Sequence, residues 1–344
     1  MNWTERRERF RAILSGNRCV HPGSVYDAIS AQSGAVRAGF FREDAMINRT
    51  ATLRRLLAEE RFIDMPVAYD PLGGRLIESL GFKTVYNGGF VTGGSRCSSE
   101  PLLTMDEQVR TAGDIAKAVN VPVVADGGAG FGEPLHTMRT VKEFIHAGIS
   151  GIHIEDQLFP KRAHYHKYVA HVIPRNDFVD KIKFACRQRD ETDKDFVIIA
   201  RSDSCRFEGL DEAVDRINMA ADAGADMGMI FPRTPEELQQ ATKLAKVPLV
   251  YVRSLGNRDN RPTPSSKQLA EMGYKACIDA LLYLLVSFHH AKRALMELKQ
   301  NGEYGGLSQE DCVAARHEIE TLVGLDQFYE VEEQTVEDRK WGDR

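Results

Sequence analysis

The chain has 344 residues, 42% of them hydrophobic and 28% charged, with 45 Lys and Arg against 50 Asp and Glu for a net charge of -5. That balance leaves no basic footprint for nucleic acid or an anionic membrane, and no apolar run approaches the ~18 residues of a membrane span. Residues 1–9 are charged from the start and carry no signal-peptide core. The 6 cysteines show neither CxxC pairing nor the density of a disulfide scaffold, so a soluble protein of a reducing cytoplasm is expected.

Residues 1–61 read as an N-terminal helical extension. Its stretch 11–14 through 25–28 recurs at 54–57 through 68–71, about 43 residues on, as a duplicated first unit or as chance similarity. From 62 to 302, apolar runs at 62–67, 84–87, 121–125, 151–154, 196–200, 227–231, 248–252 and 275–278 predict buried strands. Helical patterns separate them. Asp211 and Glu212 place acids in the first turn of one helix, and Pro235-Glu236-Glu237 opens another. Eight strands alternating with helices predict an α/β fold, a (β/α)8 TIM barrel, with a doubly wound open sheet as the competing arrangement. Residues 303–344 form a C-terminal tail, with a helix over 308–323 that Ser308 and Asp311 begin.

In a barrel the chemistry sits just past the strand ends. Tyr86-Asn87-Gly88-Gly89 offers paired glycines whose N–H groups can approach an anion, or else a plain tight turn. Asp126 ends an apolar run and precedes four glycines through Gly132, a pattern that suits a hard-cation ligand beside a covering loop. Glu155, with Asp156 beside it, could join Asp126 around Mg²⁺; His153 alternates with Ile152 and Ile154 and reads as a strand residue packed against a helix. Lys161, His164, Tyr165 and His166 lie on a loop rich in cations and proton carriers, either an active-site lid or an exposed basic loop. Arg201 presents a planar fork to a substrate carboxylate, or forms a buried bridge to Glu155 or Asp203. Arg233 and Arg253 extend the cationic lining. Cys97 and Cys205 fall in strand-end loops, without an evident base beside them.

Taken together these segments resemble the isocitrate lyase / phosphoenolpyruvate mutase superfamily. The resemblance rests on Ala68-Tyr69-Asp70-Pro71, Val123-Val124-Ala125-Asp126, Gly130-Phe131-Gly132, Ile154-Glu155-Asp156-Gln157, Pro160-Lys161-Arg162 and Ala200-Arg201-Ser202-Asp203. The N-terminal stretch 9–27, Gly88-Gly89 and 138–141 look most like the oxaloacetate decarboxylase branch. Lys161-Arg162 and Arg201-Ser202-Asp203 look closer to 2-methylisocitrate lyase. The resemblance implies a Mg²⁺-assisted barrel, with Mn²⁺ as an alternative, that makes or breaks bonds beside a 2-oxo acid through a pyruvate-type enolate. It also implies a dimer or tetramer whose last helix is swapped between subunits.

Three departures qualify it. The second acid of the D-x-D pattern is replaced by Gly128, a further metal-site acid falls on Ser99, and the catalytic cysteine of the lyases becomes Ala163. The expectation is therefore a carbon–carbon lyase or decarboxylase of a small 2-oxo or 2-hydroxy dicarboxylate. Asp126 and Glu155 would serve the metal. Tyr86, Gly88, Gly89, Arg201 and Arg233 would serve the substrate, and Lys161, His164, Tyr165 and His166 proton transfer. A phosphonopyruvate-type mutase or hydrolase, and a degenerate metabolite-binding barrel, are the alternatives.

Overall fold

A computed structural model describes residues 48–163, 167–303 and 306–337. Elements are numbered over those residues. The eight strands are β1 (Ile63–Pro66), β2 (Val85–Asn87), β3 (Val123–Asp126), β4 (Gly151–Glu155), β5 (Val197–Arg201), β6 (Met227–Met229), β7 (Leu249–Arg253) and β8 (Ala276–Asp279). All are parallel, in the order β1-β8-β7-β6-β5-β4-β3-β2. A parallel bridge between Val67 and Tyr86 joins the two ends of that order, with Ala68 N–H donating to the Tyr86 carbonyl at 2.8 Å. The sheet is thus a nearly closed barrel rather than an open doubly wound sheet, and each strand overlaps the run expected from sequence.

The helices are α1 (Arg49–Glu59), α2 (Pro71–Ser79), α3 (Gly89–Ser95), α4 (Met105–Ala118), α5 (Pro134–His146), α6 (Arg175–Thr192), α7 (Cys205–Glu208), α8 (Leu210–Asp222), α9 (Pro235–Leu244), α10 (Ser266–Glu271), α11 (Leu282–Asn301), α12 (Gln309–Val323) and α13 (Leu325–Glu332). Their starts follow from local chemistry. Asp70 accepts from Gly73 N–H before α2, and Thr104 with Glu107 makes a capping box on α4. Ser308 and Asp311 do the same for α12, as their spacing predicts.

Period-two alternation sorts each strand into two faces. Val123, Ala125, Ile152, Ile154, Ile198 and Ala200 pack outward against Phe144, Phe178 and Ile182 of the helix layer. Val124, Val197, Ile199, Met227, Met229 and Val250 fill the barrel interior. Leu53 and Leu56 of α1 join that interior cluster, so α1, which the sequence assigns to an N-terminal extension, packs with the barrel core. Arg54 ties the helix down by donating to the carbonyls of Asp195 and Phe196 and pairing with Asp226. The first copy of the internal echo, and the rest of the extension up to residue 47, lie outside the described residues.

Beyond β8 the chain changes character. No residue of α11, α12 or α13 is buried, yet Leu282, Leu285, Phe288, Leu295, Val313 and Phe328 are large, apolar and exposed.

Leu53→Ala should cost about 2–5 kcal/mol, the range for a fully buried leucine that leaves a cavity. Urea unfolding of the two chains checks this, with the midpoint rather than the slope expected to move.

Candidate active site

The inner face that carries Val124, Val197 and Ile199 turns polar at the strand ends. Alternation brings Asp126 of β3, His153 and Glu155 of β4, and Arg201 of β5 onto it. Register then makes neighbours of them: Asp126 stands opposite His153, and Glu155 opposite Arg201. Above them lies a cavity of about 390 Å³.

Glu155 is fully buried. Lys161 Nζ stands 2.8 Å from its Oε1 and Arg201 Nη1 stands 3.1 Å from its Oε2, although neither oxygen accepts a hydrogen bond of good geometry. Burial pushes the Glu155 carboxyl up to about 7, against the pull of Arg201 and Lys161. Lys161 also pairs closely with Glu100. Burial alone would lower its ammonium, but Glu100 and Glu155 hold it above the usual lysine range. Arg201 reaches on to Asp203 at 3.1 Å, which accepts from Gln157 Nε2 at 2.7 Å. Both bridges foreseen as the structural alternative for Arg201 therefore form, and Arg201 still lines the cavity.

Asp126 is held by backbone donors. Gly89 N–H donates to Oδ2 at 3.0 Å and Gly128 N–H to Oδ1 at 2.8 Å. Gly128 adopts φ +52, in the left-handed region. Where the resembling family carries a second acid, this chain aims an amide at the first one. Burial would raise the Asp126 carboxyl, but its surroundings of His153, Lys161, Arg201 and the Gly128 amide hold it well below the usual range. His153 Nδ1 lies 3.7 Å from Asp126, and its Nε2 is 2.8 Å from Tyr86 Oη. Burial drives the imidazole down to about 4, so it is neutral at neutral pH, and the lysine, arginine and amide groups keep Asp126 ionised. Burial raises the Tyr86 phenol, which stays protonated.

Most of the residues expected from sequence converge here. Tyr86, Gly88, Gly89, Asp126, Arg201 and Arg233 line the cavity, with Glu155 and Lys161 beside them. Two expectations fail. His153 faces the barrel interior beside Tyr86 and Asp126, not a helix, because it shares the inward phase of Glu155. Arg253 turns the other way, to Asp279 and Ser266, since Val252 takes the cavity-facing phase of β7. His164, Tyr165 and His166 lie outside the described residues. Cys205 starts α7 rather than lying in a loop; it is buried, and its thiol is pushed up to about 12 by that burial.

Glu100 is the residue sequence reasoning missed. The acid sought at Ser99 is supplied one position later, in a short 3-10 turn over Glu100–Leu102. A Cβ on Gly89 would lie 2.6 Å from Glu100 Cγ and 3.0 Å from Asp126 Oδ2. The second glycine of the pair therefore lets two carboxylates approach one backbone.

A sequence model of the family described as phosphoenolpyruvate phosphomutase matches residues 53–299. The chain belongs to this phosphoenolpyruvate phosphomutase family. It is 32% identical over 293 residues to 2,3-dimethylmalate lyase of Eubacterium barkeri, covering 83% of this chain and 98% of that one. Oxaloacetate acetylhydrolase solved with its product oxalate superposes with a TM-score of 0.75 at 26% identity, over 84% of this chain and 98% of that one. Phosphonopyruvate hydrolase solved with oxalate and Mg²⁺ gives 0.72 at 26% identity, over 83% and 99%. The family's chemistry thus spans lyases, mutases and hydrolases of small carboxylates.

The donor set can be tested against Mg²⁺. Among the described residues no three His, Cys, Asp or Glu side chains converge as metal ligands. Mg²⁺, however, commonly keeps several waters and takes one or two carboxylates. Asp126 lines the cavity and suits that mode; Glu155, whose two oxygens are already ion-paired with Lys161 and Arg201, would share them with the ion.

Gly89→Ala should push Glu100 away from Asp126 and lower oxalate affinity by about tenfold or more, the scale of one lost charge-assisted interaction. Calorimetric titration with oxalate checks it, beside a circular-dichroism melt that should stay near the parent's.

Proposed function

We propose that the protein is a carbon–carbon lyase or decarboxylase that cleaves a small 2-oxo or 2-hydroxy dicarboxylate through a pyruvate-type enolate. The observation that carries this reading is the buried Lys161–Glu155–Arg201 array beside Asp126 at the strand ends. Membership of a family whose relatives act on such acids supports it.

Decarboxylation of a 2-oxo acid leaves an enolate on the fragment that keeps the carbonyl; cleavage of a 2-hydroxy acid takes the proton from the hydroxyl, turns its carbon into the carbonyl and leaves the electron pair on the departing carboxylate fragment. In either case charge developing in a water-poor site is best met by fixed charges and dipoles. Arg201 is oriented by Glu155 and Asp203, so its fork is set before substrate arrives and binds a carboxylate without reorganising. Lys161, kept protonated by two acids, serves as a fixed positive charge rather than as a proton carrier. Tyr86 holds a proton at Oη against neutral His153, at the cavity wall where a departing carbanion could take it up. Gly88 and Gly89 let the backbone close on the substrate. Arg233 faces the same space from the end of β6 and completes the substrate-binding set. His164, Tyr165 and His166, which follow Lys161 closely in the sequence, are further proton donors in this reading. Asp126 and Glu155 would hold Mg²⁺, or Mn²⁺, which when bound polarises the substrate's oxygen and spreads the enolate charge.

A dimer or tetramer fits the unburied apolar side chains of α11–α13, which another copy of the chain would cover. Sedimentation velocity should show no monomer at micromolar concentration, and Phe288→Glu should shift the chain toward it.

Assays with oxaloacetate and 2-alkylmalates, read by a dehydrogenase coupled to 2-oxo acid release, should find turnover that EDTA abolishes and Mg²⁺ restores. Arg201→Ala should lower kcat/KM by roughly 100-fold or more. Turnover that survives that substitution undiminished would refute the assigned role.

A further inference from the structure

Behind the strand ends lies a second buried carboxylate that the proposed chemistry leaves unused. Asp156 follows Glu155 directly, so alternation turns it away from the cavity and toward the helix layer. It is fully buried. Its Oδ1 accepts from Asp203 N–H at 2.9 Å, and its Oδ2 accepts from the Ser202 hydroxyl at 2.6 Å. Arg216 of α8 stands behind it, with Nη1 3.4 Å from Oδ2. Ser202 and Asp203 come directly after Arg201 in the chain, and Asp203 is the acid that meets Arg201 Nη2 at 3.1 Å.

The Asp156 carboxylate is itself anchored. Its own N–H donates to the Arg201 carbonyl at 3.1 Å, and its carbonyl accepts from Ile173 N–H at 2.8 Å. Leu158 N–H donates to the His171 carbonyl at 2.8 Å, and Gln157 bridges Val172 antiparallel. Residues 156–158 and 171–173 thus form a short stem. Arg216 ties that stem to α8, because its Nη1 donates to the Ile173 carbonyl at 2.7 Å while its Nε donates to Glu212 at 2.7 Å. A buried ion pair adds little net stability over apolar packing of the same volume. What this one supplies is direction: a carboxylate fixed at the end of one strand, with both oxygens aimed at the two residues that follow the next.

We propose that Asp156 is a positioning residue for the reaction. It holds the Ser202-Asp203 turn so that Asp203 aims the Arg201 guanidinium at the substrate carboxylate. Glu155 meets Nη1 of that guanidinium and Asp203 meets Nη2, so the plane of the fork depends on where the turn after β5 places Asp203. A misplacement of about 1 Å is enough to cost roughly 100-fold in rate. Asp156 faces away from the cavity and acts only through these neighbours. The proposal rests on the lyase reading above, because it takes Arg201 as the partner of the substrate carboxylate.

The test uses the full chain with Mg²⁺ and reads oxalate affinity by calorimetry, well below the melting temperature of every variant. Asp156→Ala should weaken oxalate about tenfold or more. Asp156→Asn should stay within about threefold, because its amide still accepts from Asp203 N–H and can donate to the Ser202 hydroxyl. Leu53→Ala, which destabilises the same barrel far from the turn, should stay within about twofold, so a general loss of stability is told apart from a misaimed fork. Arg201→Lys keeps the charge but has no fork to aim, and beside it Asp156→Ala should cost less than about twofold more. If Asp156→Ala does not fold, Ser202→Ala carries the test, with a loss of about threefold or more that likewise vanishes beside Arg201→Lys. If the variant binds oxalate as tightly as the parent, or if its loss persists in full beside Arg201→Lys, the positioning role is overturned and the lyase reading stands. If the parent chain does not bind oxalate, the lyase reading falls and this assignment falls with it.

Discussion

A carboxylate cut off from solvent and held between two cations governs the architecture of this site. Burying charge costs several kcal/mol per ion, and removing one partner of such a pair typically costs about 3–5 kcal/mol because the other is left uncompensated. Glu155, Lys161 and Arg201 therefore have to be placed together or not at all. The barrel does this with backbone register: β4 and β5 pair so that Glu155 and Arg201 stand opposite each other, and the segment after β4 returns Lys161 to the same point. Glu100 arrives from the far side of the α3 turn and closes the array on Lys161.

The same register explains how much was legible in the sequence. Apolar runs located all eight strands because a parallel sheet buried on both faces needs them. The polar residues that end those runs were readable as a site for the same reason. What could not be read was phase. Ile152-His153-Ile154 looks symmetric as a string, and only the pairing of His153 with Asp126 shows that the imidazole faces inward. Arg253 looked equivalent to Arg233, but it lies in the outward phase of β7. Glu100 escaped because a turn, not a strand, delivers it, and a turn can move a functional acid by one position without leaving a periodic trace.

Two departures from the family's pattern look less like erosion than like exchange. The position of the second acid, Gly128, contributes an amide to Asp126. The acid absent at Ser99 is present at Glu100. One acid is thus kept at a shifted position and the other is exchanged for a neutral amide, which leaves the inner end one negative charge short of the family's pattern. The arrangement still offers what the proposed reaction requires: cations fixed before the substrate arrives, an ionised carboxylate held by amides, and a phenol that keeps its proton.

The most direct test of the central claim, that this is a preorganised enolate pocket, is the melting temperature with oxalate and Mg²⁺ added separately and together. A ligand specific to the native state at ~100 times its dissociation constant adds about 2.7 kcal/mol, which shifts the melt by several degrees. Stabilisation that appears with both and vanishes with EDTA is the predicted result. No shift with the pair at millimolar concentrations would contradict the account.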